Sequence, residues 1–136
     1  MTKEYLIYVG SVFQLEWYFD ENGESKAQKY FNRLDEKQQL KFWFLVKRIR
    51  DFGQISNKEQ FRNEGDKIYA FKPQPDRFLC FFFTGQKIIV TNAFEKKQQK
   101  LPKNQKEKAI NYMNDYIKRN QEGAYYEENW RTINFW

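Results

Sequence analysis

The chain has 136 residues, enough for one domain with a real core and too few for two. Lysine and arginine outnumber aspartate and glutamate by 24 to 18, giving a net charge of +6, and there is no histidine. The missing histidine excludes Ser–His and Cys–His nucleophile pairs, the usual general base and the commonest metal ligand. The basic balance favours an anionic partner, nucleic acid ahead of a membrane surface.

Fourteen Phe, nine Tyr and four Trp predict a core packed with rings. No apolar run is long enough to span a bilayer. Cys80, alone in "RFLCFFF", has no internal disulfide partner and reads as buried and inert, in keeping with a reducing cytoplasm.

In chain order, Tyr5 to Val12 is an extra strand or part of one bent strand with Gln14 to Phe19, which an Asn22–Gly23 turn closes. The segment has no basic lead and no small-residue cleavage site, so it reads as strand rather than signal peptide. Ser25 with Gln28, then Asp35 with Gln38, open two successive helices expected to form an antiparallel hairpin. The first turns Ala27, Tyr30, Phe31 and Leu34 inward; the second turns in Phe42, Leu45, Val46, Ile49 and Phe52 and stops at Gly53. "KIYAF", "RFLCFFF" and "KIIVTNAF", divided by "KPQPD" and "TGQ", predict a three-stranded antiparallel meander. A last helix from about Lys103 to Lys118 places Ala109, Met113, Tyr116 and Ile117 inward. The fold class is α+β, with a domain over 1–119 and an aromatic, acidic extension over 120–136 expected to dock on it.

The chemistry gathers where this topology gathers charge. In a meander, the end of the first strand, the start of the second and the end of the third share one sheet edge. Lys72, Arg77, Lys96 and Lys97 therefore converge, with Lys100 and Lys103 following and the helix start at Leu101–Pro102 adding free amides. Such cations suit a phosphodiester, whose non-bridging oxygens gain charge during attack on phosphorus. Each residue also has a plainer reading. The lysines suit a solvated loop, Arg77 an ion pair with Asp76 or a cap on the core edge, and Lys72 an exposed turn. Most rings read as core, among them Phe42, Trp43, Phe78, Phe81 and Phe83; Phe94, beside the lysines, is the candidate for stacking on a base. Glu127 and Glu128 read as tail charge.

From "YFDENGESKAQKYFNRLDEKQQLKFWFLVKRIRDFG" through "KIYAFKPQPDRFLCFFF" to "KIIVTNAFEKKQQKLPKNQKEKA", the chain resembles the RelE/ParE toxin superfamily, and within it the HigB-like, phage-derived branch. The resemblance covers roughly 14–118. It implies the toxin of a type II toxin–antitoxin pair, cytoplasmic and bound by a cognate antitoxin. It also implies a ribosome-dependent endoribonuclease that enters the A site and cuts translated mRNA by 2′-hydroxyl attack, with no metal or other cofactor. Arg77 matches the arginine opening the middle meander strand, and Lys96 and Lys97 match the basic pair after the last; these are the implied catalytic residues. Lys72, Phe94, Lys100 and Lys103 are the accompanying candidates for RNA binding.

The chain departs from the pattern in places. Ile68 and Ala70 stand where some members have lysines, no tyrosine lies between Glu95 and Asn111, and Leu101 replaces a threonine before the helix-opening proline. The general base is left open. So are two alternatives: a ParE-like inhibitor of DNA gyrase, and a phage-derived binding protein without catalysis.

Overall fold

Two side-chain caps start the helical part of the molecule. In the computed structural model, which describes residues 6–9, 12–98 and 100–126, Ser25 Oγ accepts the Gln28 amide at 3.2 Å and opens α1, Lys26–Arg33. Asp35 Oδ1 accepts the Gln38 amide at 2.9 Å and opens α2, Glu36–Phe52, which ends at Gly53 with a φ of 78°. The third helix, Lys103–Gln121, follows six strands and is numbered α3.

The strands are β1 Leu6–Val9, β2 Gln14–Trp17, β3 Phe61–Gly65, β4 Ile68–Phe71, β5 Asp76–Phe83 and β6 Lys87–Glu95. They form one six-stranded sheet in the order β1-β2-β6-β5-β4-β3. All neighbours are antiparallel except β2 and β6, which run parallel from Gln14 opposite Lys87 to Trp17 opposite Val90.

The sheet is covered on both faces, which explains the unbroken apolar run of β5. Phe78 and Cys80 face Trp17, Phe31 of α1 and Phe42 of α2, while Leu79 and Phe81 face Ala109, Met113 and Tyr116 of α3. The first layer is a ring cluster: Phe42 lies 4.3 Å from Phe78 and stacks on Trp17 at 5.8 Å between centroids. Such pairs contribute roughly 0.5–1.5 kcal/mol each beyond area burial. Tyr125, past the end of α3, is fully buried in the second layer, and its hydroxyl accepts the Phe19 amide at 3.0 Å. Glu127, Glu128 and the rest of 127–136 lie outside the described residues.

Two expectations need correction, and one open choice is decided. The meander has a fourth strand: β3, "FRNEG", pairs antiparallel with β4 at the sheet edge. An edge strand of this kind carries charged rather than alternating apolar residues, so it lacks the usual strand signal. Of the two readings left open for the N-terminal segment, the extra strand holds: β1 is separate and pairs with β2. Phe52 is 75% exposed rather than inward, because it is the last residue of α2 and the chain reverses at Gly53. Among the described residues no helix is long and apolar enough to cross a membrane.

Candidate functional site

Strand pleat decides what Arg77 can reach. Neighbouring side chains on a strand point to opposite faces, so Asp76 and Arg77 part company. The Asp76 carboxylate turns towards α1 and α2, where Tyr30 Oη donates to Oδ1 and Gln38 Nε2 donates to Oδ2 at 2.9 Å. Arg77 turns to the α3 side and is 6% exposed. One guanidinium nitrogen donates to Gln74 Oε1 at 3.1 Å and to the Asp76 carbonyl at 2.9 Å. The Asp76–Arg77 ion pair that adjacency suggested is therefore absent. The other two nitrogens have no hydrogen-bond partner among the described residues.

A β-bulge sets what stands beside Arg77. Leu79 pairs with Asn92 and Cys80 with Val90, leaving Thr91 as the extra residue. Its hydroxyl donates to the Leu79 carbonyl at 3.2 Å or to Asn92 Oδ1 at 2.7 Å. The added residue reverses the alternation of the remaining strand. Asn92 consequently faces α3, where its amide donates to the Gln105 carbonyl at 3.2 Å and to Gln105 Oε1 at 3.1 Å. Phe94 comes directly opposite Arg77 on the same face. The bulge thus pins the start of α3 and delivers the ring to the arginine.

Arg77 and Phe94 line a cleft of about 370 Å³ together with Lys72, Lys96, Lys97 and Lys100. The Lys96 amide is tied to the Pro75 carbonyl at 2.9 Å, and the Lys72 amide to the Gln60 carbonyl at 2.8 Å. Lys72 Nζ donates to the Lys58 carbonyl at 3.1 Å. Leu101 and Pro102 bring the N-terminus of α3 to the rim, with no side-chain cap on it. Lys103 is exposed and lies outside the cleft. Sequence reasoning missed Arg62 and Glu64, which come from the unrecognised β3, together with Glu59 and Lys106. Lys106, one helical turn from Pro102, bridges to Asp66 at 2.8 Å.

The electrostatics follow from this crowding. Burial lowers the Arg77 pKa, and the carboxylates of Glu64 and Glu59 only partly oppose it. Burial also lowers the Lys72 pKa, followed by the charge of Arg77, with Glu64 acting in the other direction.

Beside this cleft runs a groove of about 1050 Å³ along α2, where Leu40 and Phe44 are 59% and 57% exposed. The two spaces share Glu59, Lys72 and Lys96.

The fold and the cleft define a small α+β protein with a predominantly basic cleft at one end of its sheet. The chain belongs to the family of phage-derived Gp49-like proteins (DUF891), whose model matches residues 29–114, more than half of its length. That family is one of type II toxins related to the RelE-like toxins. No curated protein matches the chain.

Proposed function

We propose that the chain is the toxin of a type II toxin–antitoxin pair, of the HigB-like kind, and a metal-independent endoribonuclease acting on ribosome-bound mRNA in the cytoplasm. The observation that carries this reading is Arg77: a buried guanidinium with two uncommitted nitrogens on the floor of a lysine-lined cleft.

In this reading the RNA's 2′-oxygen attacks the adjacent phosphorus. The O2′–P bond forms and the P–O5′ bond breaks, leaving a cyclic phosphate and a 5′-hydroxyl. Arg77 presents its planar fork to the non-bridging oxygens, and Lys96 and Lys97 add compact charge where the transition state gathers it. Phe94 offers a ring to the neighbouring base. The 2′-hydroxyl must lose a proton and the leaving 5′-oxygen must gain one. We assign that exchange to Lys72, whose ammonium is disfavoured by burial and by Arg77, so that its neutral amine is reached at lower pH than in water. Lys72 thereby fills the role for which the chain offers no nearby tyrosine.

The antitoxin has its place in the groove along α2. An acidic partner segment with apolar anchors would cover Leu40 and Phe44, pair with Lys37 and Lys41, and reach Lys72 and Lys96 at the mouth of the cleft.

The test is tightly controlled induction in a bacterial host with global mapping of RNA 5′ ends that carry a hydroxyl. New cuts within translated codons are expected for the wild type and none for Arg77→Ala. Lys72→Arg, which keeps the charge but holds its proton, should cut more slowly. Growth arrest without such ends would point to a gyrase-directed toxin, and no arrest to a binding protein without catalysis.

A further inference from the structure

We propose a second site for RNA phosphates, in the cleft between α1 and α3 on the opposite flank of α3 from Arg77. The fold makes this cleft by an omission. β2 ends at Trp17 opposite Val90, so the last residues of β6 have no strand beside them on that side. Lys29 and Arg33 of α1 stand along this stretch, facing Lys108 and Tyr112 of α3 across Asn92 and Ala93. The enclosed space is about 390 Å³. The Thr91 bulge contributes here too, since it turns Asn92 to hydrogen-bond Gln105 of α3, and both residues line this cleft.

The charges are one-sided. Lys26 and Lys29 share a single carboxylate, Glu24, at 3.5 and 3.1 Å. Arg33 and Lys108 are both exposed and form no ion pair with any described residue, and no carboxylate lines the cleft. The walls are firm: the Tyr112 ring stacks on Tyr18 at 4.9 Å, and Tyr30 meets Phe78 edge-on at 5.8 Å. Cations held on two helices across a rigid gap suit a chain of phosphates better than one small anion, since only a chain reaches both walls. A flat anionic surface would meet the lysine tips but not the floor. The identity of the polyanion as RNA rests on the endoribonuclease reading; the site itself uses none of the residues assigned there. The two clefts lie on either side of a helix about 10–12 Å across with its side chains, so one RNA can occupy both.

The experiment uses the full chain and a fluorescent 2′-O-methyl oligouridine of about 20 nucleotides, which has no free 2′-hydroxyl to attack with, titrated over a range of salt. Arg33→Glu with Lys108→Glu is expected to weaken binding about tenfold at roughly 0.1 M salt and to flatten the log K against log salt slope by about 1.4, or about 0.7 per lost phosphate contact. Lys47→Glu with Lys118→Glu, also exposed, makes the same change in net charge away from both clefts and should stay within about twofold. Equal weakening by the two double variants would overturn the second site while leaving the Arg77 reading intact. So would a loss confined to binding of phosphatidylserine vesicles, which would assign the cleft to a membrane surface. A wild-type chain that binds no RNA would likewise overturn the second site, while the Arg77 reading stands or falls on the mapping of RNA 5′ ends.

Discussion

Arg77 and Arg119 are buried almost equally, at 6% and 8% exposed, and the fold treats them in opposite ways. Arg119 donates to Asp115 through Nε at 2.9 Å and meets the same carboxylate through a terminal nitrogen at 2.7 Å. It also bonds the Phe19 carbonyl and lies 4.8 Å from the centre of the Tyr125 ring. Burial alone would lower its pKa, but the hydrogen bonds with Asp115 and Tyr18 more than compensate and push it up. Arg77 has no carboxylate in contact, and its pKa goes down. A buried cation supplied with an anion by its own fold holds that fold together. A buried cation with carboxylates near but none in contact keeps most of its desolvation cost and has donors to offer, the condition in which an incoming phosphate gains most.

Exchanging the two arginines for alanine should break this comparison if it is wrong. Arg77→Ala is expected to lower the RNA cleavage rate on the order of 10²- to 10³-fold, the usual loss when one donor to a developing oxyanion is removed. Its thermal midpoint should hold or rise slightly, because a crowded charge has left the cleft. Arg119→Ala should do the reverse, losing about 3 kcal/mol of stability because the Asp115 carboxylate keeps only the Tyr18 hydroxyl and loses its cation. Protein that remains folded should still cut RNA at the normal rate. Thermal denaturation and single-turnover cleavage on both variants make the comparison. An Arg77→Ala protein that unfolds would show that both arginines are structural.

The same contrast shows what could be read before the fold was known. The convergence of Lys72, Arg77, Lys96 and Lys97 needed only the order of the meander strands, because topology alone places those ends together. The helix starts at Ser25 and Asp35 were legible because a cap is a local contract between residues three apart. That Asp76 and Arg77 diverge was also available, since strand alternation forbids the ion pair that adjacency invites. The remainder is not local. No composition marks Thr91 as a bulge, yet that extra residue decides that Phe94 rather than Ala93 meets Arg77. β3 was hidden because an edge strand satisfies solvent instead of a core, and Arg62 and Glu64 were hidden with it. The parallel β2–β6 pair joins segments far apart in the chain, and nothing short-range announces it.

A third buried charge sharpens the contrast from the acidic side. Glu16 is fully buried on β2. It accepts from Tyr126 Oη at 2.6 Å and Gln14 Nε2 at 2.7 Å, with Lys87 Nζ at 3.8 Å. Burial raises its pKa above the ordinary 4.5, and Tyr126, Lys87 and Gln14 only partly oppose the shift. The folded state therefore keeps this proton at pH values where the unfolded chain has released it. The contribution is fully present below about 4.5 and is lost as pH rises through the folded value. Glu16→Gln removes the dependence. Relative to that variant, the wild type should lose stability steadily as pH climbs from 4.5, read as a widening gap in denaturation midpoints. A constant gap would mean that the hydrogen bonds cancel burial, so that Glu16, like Arg119, is fully partnered.

The smallest effect expected is also the most discriminating for the edge of the cleft. Lys97 lines it; Lys103, on the first turn of α3, does not. Both are exposed lysines in one basic stretch, so a diffuse field would make them equivalent. A defined cleft would not. Lys97→Ala should reduce the salt dependence of RNA binding by about 0.7, the share of one phosphate contact on a single strand, whereas Lys103→Ala should leave the slope unchanged. Equal reductions would mean that a diffuse field, and not a defined cleft, holds the strand. An unchanged Lys103 slope would route it around the 96–102 loop instead, where Lys96, Lys97 and Lys100 stand between Arg77 and the start of the helix.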